Sequence, residues 1–136
     1  MKVFIDTSAF VALLVDKEAD HKIVAKKYYD YRQKRAILFT SDYILDELFT
    51  RLLYYKQINI RKYIEKLKES ISKGEITVLR IDDALFEKAV EGFLKFSEHK
   101  ISFTDATSYA LLKDFSLDEV FTLDDDFKKI RVNTSF

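Results

Sequence analysis

Four short apolar runs, each followed by residues that cap helices, constrain this chain more than any other feature. Lys2-Val3-Phe4-Ile5 gives way to Asp6-Thr7-Ser8, and Ala36-Ile37-Leu38-Phe39 gives way to Thr40-Ser41-Asp42. Residues 76–81 run into Asp82 and Asp83, and Glu119-Val120-Phe121-Thr122 leads to Asp124-Asp125-Asp126. Runs this short and this apolar read as buried strands, and the Asp, Thr or Ser that follows offers an oxygen to the unpaired amides of a helix start. Between the runs, apolar residues recur at helical spacing. Helices are expected over about 9–15, 20–34, 42–56, 59–73, 84–96 and 105–113, with Asn59 opening the fourth, Thr104 capping the last and Gly74 as a terminator. Ile130-Arg131-Val132 is expected to add a short fifth strand. Strands separated by helices imply an α/β chain with a mostly parallel sheet covered on both faces.

The length of 136 residues suits one domain, expected to span 1–136. With 48% hydrophobic and 34% charged residues the composition is that of a globular protein rather than a disordered tail. Twelve Phe and eight Tyr make the core strongly aromatic. There is no Cys, so disulfides, thiolate chemistry and Cys-based zinc sites are excluded, and a cytoplasmic location is favoured. Only two Gly are present, too few for a Gly-rich phosphate loop, and no signal peptide or 18-residue apolar span is seen, so no membrane partner is expected. The formal net charge of zero argues against a strongly basic nucleic-acid binder. The average hides an asymmetry, however: residues 1–74 hold 15 Lys and Arg against 10 Asp and Glu, and residues 75–136 hold 8 against 13. A basic surface and an acidic, metal-binding cluster can therefore coexist.

Four separated carboxylates stand out by position. Asp6 follows the first strand, where open α/β sheets bind ligands, although it can equally cap a helix. Glu47 interrupts a very apolar helix, where it either joins a site or pairs with Arg51 one turn on. Asp105 lies in the first turn of a buried helix, a place that also favours acids through the helix dipole. Asp124 repeats the Asp6 arrangement after the last strand, whereas Asp126 is assigned to a cap before Phe127. Oxygen donors of this kind suit Mg²⁺ or Mn²⁺. Such an ion lowers the pKa of bound water and stabilises charge on a phosphoryl oxygen, which is the chemistry of phosphodiester hydrolysis.

The segments Val3-Phe4-Ile5-Asp6-Thr7-Ser8, Ser41-Asp42-Tyr43-Ile44-Leu45-Asp46-Glu47-Leu48, Ser102-Phe103-Thr104-Asp105-Ala106 and Phe121-Thr122-Leu123-Asp124-Asp125-Asp126-Phe127 resemble the PIN-domain family in order, spacing and total length. The likeness is greatest to the small VapC-type toxins of prokaryotic toxin–antitoxin pairs. It implies a three-layer α/β/α domain with about five mostly parallel strands in the order 3-2-1-4-5. By motif, it implies Asp6, Glu47, Asp105 and Asp124 as catalytic and metal-binding acids. Thr7, Ser8, Thr122 and Asp125 would support them, and Asp125 leaves the fourth acid open to reassignment. The resemblance further implies a Mg²⁺- or Mn²⁺-dependent endoribonuclease acting on RNA, a homodimer, and a small antitoxin whose tail reaches the pocket. Tyr109 departs from the family pattern, which usually has a smaller residue there.

His21 and His99 lack metal-ligand spacing and are set aside. Lys26, Lys27, Arg32, Lys34 and Arg35 either contact phosphates or form a solvated helix face. Tyr28, Tyr29, Tyr31, Tyr54 and Tyr55 either stack bases or pack. The rival readings are a non-catalytic PIN-like nucleic-acid-binding protein and a PIN nuclease of RNA processing or decay. An aspartyl-phosphate phosphatase is disfavoured because Asp6-Thr7-Ser8 lacks its Asp-x-Asp pattern, and a receiver domain leaves Glu47 unexplained.

Overall fold

The computed structural model describes residues 1–136. Strand β1 (Lys2–Ile5) lies inside a four-stranded sheet between β2 (Ile37–Ser41) and β4 (Glu119–Phe121), with β3 (Ile76–Leu79) outside β2. The order is β3-β2-β1-β4 and every pairing is parallel. Val3, Phe4 and Ile5 are fully buried, as expected of a central parallel strand covered on both faces.

The crossovers are helical and complete the α/β/α layering. Helices α1 (Thr7–Leu14) and α2 (His21–Gln33) join β1 to β2, and α3 (Asp42–Leu52) and α4 (Ile60–Ser72) join β2 to β3. Helices α5 (Asp83–Lys95) and α6 (Phe103–Asp114) join β3 to β4, with a 3₁₀ turn at Ser97–His99 between them. The short α7 (Asp126–Lys129) follows β4. Strand ends pass into helix starts almost without a loop. Ser41 closes β2 and also caps α3, its Oγ accepting from Ile44 N at 3.1 Å, and Asp82 caps α5 through Leu85 N at 2.8 Å. Asn59 caps α4 as expected, and Gly74, just past that helix, takes the left-handed φ of 76°.

Two expectations need correction. No fifth strand forms over Ile130-Arg131-Val132, so the sheet has four strands rather than the order 3-2-1-4-5. Ile130 closes α7, and Arg131 takes a left-handed φ of 60°, which breaks any extended run there. The tail instead touches the sheet three residues later, as a single parallel bridge between Thr134 and Val120. Helix α6 is capped by Ser102 rather than Thr104: the Ser102 Oγ accepts from Asp105 N at 3.0 Å. No helix is long and apolar enough to cross a membrane.

Candidate metal centre

The sheet register builds the site. Ile5 is paired with Phe121, and Asp6 N donates to Phe121 O at 3.0 Å, so Asp6 and Thr122 emerge side by side from the adjacent ends of β1 and β4. Asp6 occupies the cap position of α1, yet its side chain makes no capping hydrogen bond. Its Oδ2 instead accepts from Thr122 Oγ1 at 2.8 Å. The Thr122 hydroxyl in turn accepts from Asp124 N at 3.0 Å and lies 3.0 Å from Ser8 Oγ, which accepts from Leu123 N at 2.9 Å. Ser8 and Thr122 thus lock the loop after β4 onto the start of α1. Thr7, next in sequence, is buried, and its Oγ1 finds no partner within the protein.

Asp105 reaches the same end of the sheet from the first turn of α6, where it is only 8% exposed. Carboxylate oxygens of Asp105, Asp124 and Asp126 lie within 4.8 Å of one another. Asp126 N donates to Asp124 Oδ1 at 2.9 Å, a local turn that holds the two side chains in register. Asp6 and Glu47 border this trio rather than belong to it. The charges of Glu47 and Asp124 both act on Asp6, and those of Asp6, Asp124 and Asp126 act on Asp105.

The electrostatics follow from that crowding. Burial pushes the Asp6 carboxyl up to about 6, only partly opposed by the hydrogen bonds from Thr122 and the Thr7 backbone, with Glu47 and Asp124 adding to the rise. Burial again, followed by the charges of Asp6 and Asp124, pushes Asp105 up to about 7. Two buried acids with raised pKa values beside further carboxylates, all of them oxygen donors, suit a hard divalent cation.

The structure therefore places Asp105 and Asp124 in one carboxylate trio with Asp6 and Glu47 beside it, and links Ser8 and Thr122 by hydrogen bonds to Asp6 and the loop after β4. It turns Asp125 away: that side chain is exposed and pairs with Lys128 Nζ at 3.1 Å. Half-buried Glu47 forms no ion pair with Arg51, since the five ion pairs of the chain lie elsewhere. Asp126, read from the sequence as a cap, is the additional acid. Nothing in the sequence marked it as a site acid beyond its place before Phe127, which is fully buried. Lys129 Nζ lies 2.7 Å from Asp126 Oδ1, and Asp126 chiefly, then Asp124 and Asp125, hold its proton more firmly than usual. His21 is a structural contact, its Nδ1 lying 2.7 Å from Ala12 O. Tyr31 is buried with its hydroxyl on Glu119 and Ser135, while Arg32 lies 3.7 Å from Glu75.

A parallel α/β domain with carboxylates gathered beyond the ends of its central strands defines the class. Residues 3–133 match the PIN domain, and the chain belongs to that family. Within it, the relatives are VapC proteins. The VapC ribonuclease of Archaeoglobus fulgidus is 33% identical over 119 residues, which cover 86% of this chain and 74% of that protein. The 23S rRNA-specific endonuclease VapC20 of Mycobacterium tuberculosis is 29% identical over 128 residues, covering 92% of this chain and 91% of its own. The crystal structure of VapC20, a sarcin–ricin-loop-cleaving toxin, superposes with a TM-score of 0.79 at 25% identity over 96% of this chain and 95% of that one. VapBC2 from Rickettsia felis, bound to a promoter DNA fragment, shares the fold at a TM-score of 0.72 and 14% identity, over 99% of this chain and 98% of that one.

Proposed function

We propose that this chain is a Mg²⁺- or Mn²⁺-dependent endoribonuclease and the toxin of a type II toxin–antitoxin pair, working as a single domain. The observation that carries the reading is the convergence of Asp6 and Asp105, two buried acids from different crossovers, with the charge of Asp6 raising the proton affinity of Asp105. Asp6, Glu47, Asp105 and Asp124 are the metal-holding and catalytic acids, and their all-oxygen donor set fits either ion. When bound, the ion supplies a water of lowered pKa and stabilises charge on the phosphoryl oxygen. The protein's own contribution is positional. Thr122 fixes Oδ2 of Asp6, Ser8 ties the Asp124 loop to α1, and Ser102 holds the turn that carries Asp105.

RNA is the substrate, as for the VapC relatives, and a small antitoxin is the partner. Phe86, Phe93 and Leu94, which α5 leaves exposed, provide an apolar face suited to a homodimer. The test is cleavage of an unstructured RNA and of a 23S rRNA sarcin–ricin hairpin, with Mg²⁺, Mn²⁺ or EDTA, by the wild type and Asp6→Asn. Cleavage that needs metal and disappears in Asp6→Asn is expected. Metal-independent cleavage, or equal cleavage by the variant, rejects the assignment. A folded, antitoxin-free protein that cuts neither RNA points to the binding role instead.

A further inference from the structure

The acidic cluster at the strand ends carries more negative charge than one divalent ion removes. Asp105, Asp124 and Asp126 gather there with Asp6 and Glu47 beside them, and each phosphodiester that enters brings another negative charge. A nuclease site of this composition needs a mobile positive group at its mouth, because the remaining carboxylates repel the RNA backbone. Lys129 is placed for that task. Its Nζ rests 2.7 Å from Asp126 Oδ1, and Asp126 belongs to the trio whose oxygens lie within 4.8 Å of one another. The side chain is half exposed, so it can swing on its four-carbon stem. Its backbone is not free to move in the same way: α7 is pinned by fully buried Phe127. The neighbouring Lys128 supplies an internal comparison. It pairs with exposed Asp125, which lies outside the trio.

We propose that Lys129 is a substrate-positioning residue, whose ammonium leaves Asp126 and bonds a non-bridging oxygen of the RNA phosphate that enters the pocket. The inference rests on the nuclease reading above. The same geometry gives Lys129 a second effect: in the absence of RNA it competes with a metal ion for Asp126.

The experiment compares the wild type, Lys129→Gln, Lys129→Arg and Lys128→Gln by three measurements: Mn²⁺ affinity by electron paramagnetic resonance, RNA affinity with Ca²⁺ in place of Mg²⁺ over a series of salt concentrations, and the split between kcat and KM with Mg²⁺. In Lys129→Gln, RNA binding is expected to weaken by roughly tenfold and the salt slope to fall by about 1, whatever the sequence of the RNA. KM rises, kcat changes little, and Mn²⁺ binds more tightly than in the wild type. Lys129→Arg restores RNA binding, and Lys128→Gln leaves all three readings at wild-type values. Unchanged RNA affinity and salt slope in Lys129→Gln overturn the proposal, as does an equal loss in Lys128→Gln, which marks general surface charge. Failure of the nuclease reading looks different: the wild type itself then shows no Mn²⁺ binding and no cleavage.

Discussion

Asp6 and Asp105 are held in places that a carboxylate resists. Each has an ordinary value of 3.8 and is raised in the fold, to about 6 and about 7. The folded protein thus binds protons that the unfolded chain has already released between about pH 4 and 7. Stability therefore falls as pH rises through that window when metal is absent. In EDTA, thermal unfolding at pH 5 should occur at a higher temperature than at pH 7.5, and the reverse order would refute the assignment of these shifts. Asp6→Asn removes one of the two unfavourable charges while keeping an oxygen for the Thr122 hydroxyl. It should stabilise the metal-free protein at pH 7.5 by about 1–3 kcal/mol in urea unfolding and flatten its pH dependence, while cleavage is lost. A variant that is both firmer and inactive is the signature of a functional acid, since loss of a structural residue weakens the fold.

Among the elements, α6 shows how a cap doubles as a positioning device. Its first turn places Asp105, and the Ser102 hydroxyl holds the amide of that residue. Ser102→Ala should cost about 1 kcal/mol and lower kcat, whereas Thr104→Ala should cost only a few tenths, because Thr104 lies inside the turn and caps nothing. Urea unfolding of the two variants side by side checks this. Ser102 and Thr104 are both good capping types two residues apart, so sequence favoured neither on physical grounds; the extended backbone of Ser102 decides it. The strand-then-cap pattern was legible at β1, β2, β3 and β4 because each strand centres on a short apolar run and gives way to Asp, Thr or Ser at or soon after its end. Ile130-Arg131-Val132 misled because three alternating residues do not separate a strand from the turn that closes a short helix. Asp126 was missed for a related reason. A four-residue helix has no periodicity to read, and α7 exists through the burial of Phe127 rather than through helix propensity.

At the scale of the whole molecule, a formal net charge of zero is compatible with a strongly negative pocket, because the acids are drawn to one end of the sheet from four separate stretches of chain. From the residues alone, the strand-end positions suggested a shared carboxylate site, and the resemblance added which four acids share it, since the crossovers that bring Asp105 to Asp6 are long. On the proposed function, metal binding is a global property of the fold: an ion that binds only the assembled cluster must stabilise the native state. At a concentration 100 times its Kd, Mg²⁺ or Mn²⁺ should add about 2.7 kcal/mol, read as a rise in the unfolding temperature over an EDTA control. Because the ion binds the deprotonated acids, the rise should be larger at pH 7.5 than at pH 5.5, opposite in sign to the metal-free trend. In Asp6→Asn it should shrink at both pH values. A rise of the same size in NaCl of matched ionic strength, or one independent of pH, would mean that the cations act on surface charge and that the acids at the strand ends do not share a metal.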